Sequence, residues 1–215
     1  MSNKFTFLVC LFVSSLMLSN IIAGKLIVIF GQVFPGAVLL YPLVYVIGNI
    51  ITEVYGFARV RTAIWTGLFI NVFMVLVIYA VLLIPSPEFF TSQEAYKLVL
   101  GMTPRVVGAS VCAYWVGVFI NAIIMSKLKE LFSGRWLWAR TISSTMAGEA
   151  FDTSIFITLA FYGLVSDYVL VQMMIAQYLF KISYGIIATP IVYAAVGWLK
   201  RTETEIYDHS IKGYL

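Results

Sequence analysis

Six stretches, 5–23, 36–55, 63–84, 105–126, 142–165 and 169–199, are apolar almost throughout. Each runs close to the ~20 residues that an α-helix needs to cross a bilayer. No other feature constrains the chain so tightly, because backbone N–H and C=O groups in hydrocarbon must bond to one another. The expected fold is an all-α membrane protein, one bundle of six transmembrane helices forming a single domain over residues 1–215. Composition excludes the soluble alternative: 61% of residues are apolar and 11% charged, against roughly half and a quarter in soluble domains.

Local signals agree with several boundaries. Gly56 closes the second stretch, Pro85 follows the third, and "TPR" at 103–105 sets a Thr cap before an N1 proline. Between the first two spans, "LIVIFGQVF" (26–34) is apolar but too short to cross as a helix and is interrupted by glycine. It reads as a short re-entrant or hairpin segment capping the outer face. In 85–104, Thr91 and Glu94 form a capping-box pattern, and Ala95, Leu98, Val99 and Met102 share a face. A short amphipathic surface helix is expected there. There is no internal repeat, low-complexity tract or linker.

Orientation follows from the basic residues. With both termini cytoplasmic, ten lie inside (Lys4, Arg59, Arg61, Lys127, Lys129, Arg135, Arg140, Lys200, Arg201 and Lys212) and three outside (Lys25, Lys97 and Arg105). The excess satisfies the positive-inside rule. It also weighs against cleavage of the N-terminal stretch as a signal peptide, which would leave five spans and no clean small-x-small site. Cys10 and Cys112 have no partner at metal or redox spacing and read as small core residues. His209 lies in the polar tail and reads as solvated.

A charged side chain at mid-bilayer costs about 2.5 to 3.5 kcal/mol on insertion scales, so each needs a reason. In the fifth span Glu149, Asp152 and Thr153 project to one side, with Asp152 about 15 Å from the inner end. The sixth carries Gln177 and Lys181 one turn apart, then Gly185 and Pro190. The second sets Tyr45, Asn49 and Glu53 at steps of four; the fourth adds Tyr114, Gly117 and Asn121, the first Asn20 and the third Asn71. Structural explanations stand beside functional ones. The asparagines can bond across helices, the expected role of Asn71. Glu53 can pair with Arg59 or Arg61 near the headgroups, and Asp152 with Lys181 as a register-fixing ion pair. That pair leaves Glu149 unexplained, so a polar cavity on a solute or ion pathway is the better account of all three.

No GxxxxGK[ST], HExxH, paired-cysteine or GxSxG motif is present. The chain therefore encodes no common nucleotide-hydrolysing or hydrolase site, and neither a metal nor another cofactor is expected. Four stretches, "YPLVYVIGNIITEVYG", "RVVGASVCAYWVGVFINAIIMSKLK", "RWLWARTISSTMAGEAFDTSIFITLAFYG" and "QYLFKISYGIIATPIVY", resemble the queuosine-precursor transporters, also called the putative vitamin uptake transporter family. The likeness covers nearly the whole chain; Gly-x-x-x-Asp-Thr before a run ending Ala-Phe-Tyr-Gly is its most specific part.

The resemblance implies a six-helix carrier of the bacterial cytoplasmic (inner) membrane. Its cargo would be 7-cyano-7-deazaguanine or the aminomethyl derivative, used for tRNA modification. It also implies kinship with the substrate-binding subunits of energy-coupling-factor vitamin transporters. Carried over by position are Asn20, Asn49, Glu53, Arg105, Asn121, Glu149, Asp152 and Lys181. The chain departs from the pattern at Asn49 and Asn121, where aspartate is expected, and at Glu149, a place often held by an amide. With Tyr45, Tyr114 and Gln177 these form the expected substrate-binding set. The expected partners are a small deazapurine and the lipid bilayer, with a homo-oligomer left open and no nucleic acid. A deazaguanine offers an N1–H and a 2-amino group that one carboxylate accepts together; amides meet the ring carbonyl, and an aromatic face sandwiches the ring. Two alternatives stand: a capture subunit for another vitamin-like solute, dependent on a separate ATPase module, and a membrane-embedded enzyme or scaffold.

Overall fold

The computed structural model describes residues 3–132 and 136–202. Arg135, His209 and Lys212 lie outside the described residues, as do the side chains of Lys129 and Arg140. The described chain is mostly helical: α1 Asn3–Ile22, α2 Tyr41–Tyr55, α3 Phe57–Leu83, α4 Gln93–Leu100, α5 Thr103–Leu131, α6 Leu137–Phe161 and α7 Asp167–Thr202. Four stretches within it are long and apolar enough to cross a membrane: Asn3–Ile22, Ala58–Leu83, Gln93–Leu128 and Asp167–Thr202.

The expected second span is shorter than the sequence reading put it. A 3-10 turn, Gly36–Leu39, precedes α2, and Pro42 sits in the first turn of that helix. Proline is favoured at a helix start because its missing N–H has no partner there anyway. At 15 residues α2 spans about 22 Å, less than the hydrocarbon thickness of about 30 Å. Gly56, with φ 83°, ends it and turns the chain into α3, as expected from the sequence.

Segment 26–34 forms a β-hairpin. Strands β1 Leu26–Ile29 and β2 Gln32–Pro35 pair antiparallel, with Ile29 opposite Gln32. The two-residue loop is Phe30–Gly31, both at positive φ (49° and 76°), the geometry that matches strand twist in tight hairpins. Glycine takes this conformation freely, whereas Phe30 is strained in it and stands fully exposed at the tip. The hairpin lies on α7, where Phe34 and Val38 pack with Ala176 and the Phe34 and Phe180 rings meet edge-on at 5.8 Å.

Two larger apolar cores hold the helices. One joins α1, α2 and α3 through Phe12, Val13, Ile47, Ile51, Val54 and Ala63, with Leu199 reaching in from α7. The other joins α5, α6 and the start of α7 through Val106, Ile157, Phe161 and Met173. Between helices in a bilayer, where lipid tails are as apolar as these side chains, van der Waals packing and not transfer from water holds such contacts. The start of α1 and the end of α7 share one face of the bundle. There Lys4 Nζ donates to the Thr202 carbonyl at 2.9 Å and lies 5.4 Å from the Trp198 ring centre. Arg59, just past the α2–α3 corner, lies over Phe5 at 5.1 Å on the same face.

Three local expectations differ in detail. Met102, not Thr103, occupies the cap of α5, because the helix starts one residue earlier than the proline signal implies. Ser92 occupies the cap of α4 without a side-chain capping bond, and Glu94 instead accepts a hydrogen bond from Lys97 at 3.0 Å. Helix α4 buries none of its residues, as a surface helix should. Cys10 and Cys112 are exposed, not core residues. They fall on the outward sides of α1 and α5, a choice that uniformly apolar helices leave to packing.

Candidate functional site

Helices α6 and α7 run antiparallel after the short turn at 162–166, which brings the middle of one beside the middle of the other. Lys181 of α7 then meets both acids of α6. Its Nζ donates to Glu149 Oε2 at 3.0 Å and to Asp152 Oδ2 at 2.5 Å. The lysine side chain is 11% exposed, Asp152 22% and Glu149 39%. Because α6 begins at Leu137, Asp152 sits about 22 Å from one end of that helix and about 13 Å from the other. Two carboxylates on one ammonium leave the junction one negative charge in surplus.

A third helix completes the junction. Tyr41, at the head of α2, places its ring 4.9 Å from Lys181 Nζ, within cation–π range. The ring also lines a cleft with Leu16, Ser19, Asn20, Ser110 and Phe156. Phe156 is one turn beyond Asp152 on α6, so the cleft adjoins the ion triad through two aromatic walls. Its volume is about 40 Å³, room for roughly one or two waters.

Close helix contact holds the acids in place. At the α5–α6 crossing Gly117 faces Gly148 and Asp152: a Cβ at Gly117 would lie 2.9 Å from Asp152 Cβ and 3.0 Å from the Gly148 carbonyl oxygen. One at Gly148 would lie 2.8 Å from the Gly117 carbonyl oxygen and 3.0 Å from Asn121 Cβ. Small residues are the means by which membrane helices approach this closely. Asn121 is therefore packed beside the residue that precedes Glu149.

Gln177, one turn before Lys181, is 1% exposed, and its Nε2 has no hydrogen-bond partner. Thr153, next to Asp152, is equally buried with an unpartnered Oγ1. Buried polar atoms are normally paired, so two such atoms within a turn of the triad mark the place where a polar group would be satisfied.

The remaining expected residues separate. Asn20 lines the cleft and donates from Nδ2 to Asn71 Oδ1 at 2.7 Å, while Asn71 donates to the Gly67 carbonyl at 2.8 Å. Tyr45 is half exposed with its ring edge-on to Tyr184 at 6.0 Å. Asn49 is partly buried two turns past Tyr41, and Glu53 is exposed near the α2–α3 corner. Tyr114 is half exposed beside Trp115. Arg105 is away from the triad: Nε donates to the Leu159 carbonyl at 2.7 Å and a terminal nitrogen to that of Tyr162 at 2.6 Å, capping the end of α6. A cation suits that end, where carbonyls lack helical partners.

Tyr41 and Phe156 were missed by the sequence reading. A signal existed for the first: Tyr41 begins the every-fourth-residue stripe of Tyr45, Asn49 and Glu53, one step earlier on the same face. Phe156 carries no such mark among so many apolar neighbours.

The family model for "Putative vitamin uptake transporter" matches residues 35–195. A Bacillus subtilis (strain 168) protein named "Probable queuosine precursor transporter" is 30% identical over 178 residues, 82% of this chain and 78% of that protein. A Haemophilus influenzae protein of the same name is 26% identical over 162 residues, 74% of this chain and 66% of its own length. No solved structure matches significantly. Apolar helices long enough to span a bilayer, a polar junction buried among them, and a family match covering most of the length agree: the chain belongs to the "Putative vitamin uptake transporter" family of membrane transporters.

Proposed function

We propose that the chain crosses the bacterial cytoplasmic membrane six times with both ends inside, and imports a queuosine precursor, 7-cyano-7-deazaguanine or its aminomethyl derivative. An even number of crossings is supported by the contact of Lys4 with Thr202, since the two helix ends then face the same side. Inside orientation is supported by the ten-to-three distribution of basic residues. The substrate reading draws on the names of the two relatives.

The observation that carries the binding site is the convergence of Glu149, Asp152 and Lys181 beside a cleft walled by Tyr41 and Phe156. A carboxylate of the triad accepts the N1–H and 2-amino donors of the deazaguanine edge, and the aromatic walls take its ring faces. The free Nε2 of Gln177 donates to the ring carbonyl. An adenine-like edge would leave the carboxylate unpaired, which is the basis of selectivity. Since the cleft holds only a water or two, entry of a fused ring needs α2 and the hairpin to shift from α7, with the segment around Gly185 and Pro190 yielding on release. Uptake of radiolabelled 7-cyano-7-deazaguanine by cells unable to make the precursor tests this. Import is expected to collapse in Asp152→Asn and Glu149→Gln, and normal import by both would overturn the site.

A further inference from the structure

We infer that the triad takes up one hydrogen-bonding monocation with each solute carried, received by Glu149: the ammonium of the cargo where it has one, a proton where it has none. The inference rests on the deazapurine reading above and concerns what drives that import.

Its basis is a charge imbalance with a defined location. Lys181 has one positive charge for two carboxylates, and Asp152 is the closer and more buried partner. Glu149 is therefore the acid whose charge is least matched, and it is also the more open of the two. The groups facing it are Lys181 from α7, the Tyr41 phenol beyond Lys181 from α2, and Asp152 on its own helix; α5 contributes the uncharged amide of Asn121 next to Gly148. Among the described residues no second ammonium or guanidinium pairs with either acid. An unmatched charge at this depth is unfavourable, and adding one positive charge removes the surplus.

The orphaned Thr153 Oγ1 and Gln177 Nε2 are independent evidence that a ligand completes this region. Thr153 is one turn from Glu149 and Gln177 one turn from Lys181; because α6 and α7 run antiparallel, both lie on the side of the triad toward the 162–166 turn, the side of the cleft wall Phe156.

With a neutral cargo, a hydronium ion of the outer water gives up a proton, which forms an O–H bond on Glu149, and the contact of Glu149 with Lys181 loosens while Lys181 stays on Asp152. After the inward movement that O–H bond breaks and the proton enters the cytoplasmic water, so one positive charge moves inward per solute. With a cationic cargo the ammonium itself carries that charge.

Purified full-length protein in proteoliposomes tests this with both deazapurines, the neutral cyano and the cationic aminomethyl compound. The cyano compound is expected to accumulate when the outside is made acid. Its accumulation should fall to the equilibrium level on adding a protonophore, a loss of about tenfold for each pH unit of imposed gradient, because one proton moves per solute. The aminomethyl compound should follow an interior-negative potential and ignore the pH gradient. Glu149→Gln should remove gradient-driven accumulation of the cyano compound. Wild-type cyano uptake that ignores the pH gradient, or follows sodium instead, overturns the inference while the cargo reading stands. Entry of neither compound under any gradient overturns both. The wild-type measurements decide the matter even where the variant fails to fold.

Discussion

The α1–α3 half of the bundle and the α2–α6–α7 junction solve the problem of polar groups in oil in opposite ways. In the first, Asn20 at the cleft edge bonds to buried Asn71, and Asn71 to a backbone carbonyl, neutral groups satisfying one another. In the second, three charged groups meet with a surplus of one, and a buried amide and hydroxyl nearby are left open. A satisfied neutral contact adds little beyond register, whereas a charged and incompletely satisfied one is maintained against its own desolvation. Transport is to be sought in the half that packing alone does not explain.

The largest expected effect is at Lys181. Lys181→Met leaves two carboxylates facing each other without their cation, and should cost about 3 to 5 kcal/mol in stability and abolish uptake. Adding Glu149→Gln and Asp152→Asn should restore the melting temperature in detergent but not the uptake. Recovery of both would make the junction structural, like the other half. Next is Gly148→Ala, which forces α6 away from the Gly117 carbonyl and should destabilise by about 1 to 3 kcal/mol. A crosslink between α5 and α6 is the readout that sharpens the cause, since its yield should fall together with uptake. The smallest effect is expected at Asn71→Ala, which should cost about 0.6 kcal/mol and leave uptake within roughly threefold of wild type. A large loss of uptake there would erase the contrast between the halves.

Much of this was legible because hydrophobic runs and their interruptions are local properties. The short apolar insert 26–34 had to be something other than a crossing helix, and it is a hairpin whose two-residue loop holds the interrupting glycine. Glu149 and Asp152 had to share a side of α6 because they are three residues apart. Other features were not legible, for reasons of packing. Arg105 was expected among the binding residues, but the end of α6 lies within reach and offers unpaired carbonyls, so the guanidinium caps them. The two cysteines were expected inside, yet nothing in a uniformly apolar helix says which side faces its neighbours. Tyr41 stood outside the reading because its partner, Lys181, is 140 residues away in the chain.

That this protein lives in a bilayer, where its apolar segments and turns lie, and which few charges need an explanation are all written in its residue order. Those conclusions follow from solvent and from 3.6-residue periodicity, both of which act within one segment. That Lys181 answers both acids, that Tyr41 roofs the ammonium, and that Gln177 and Thr153 stay unpaired nearby emerges from the packing of the helices. These depend on how α2, α6 and α7 pack together, and glycines at the α5–α6 crossing set part of that arrangement through distances of a few ångströms that no single helix encodes.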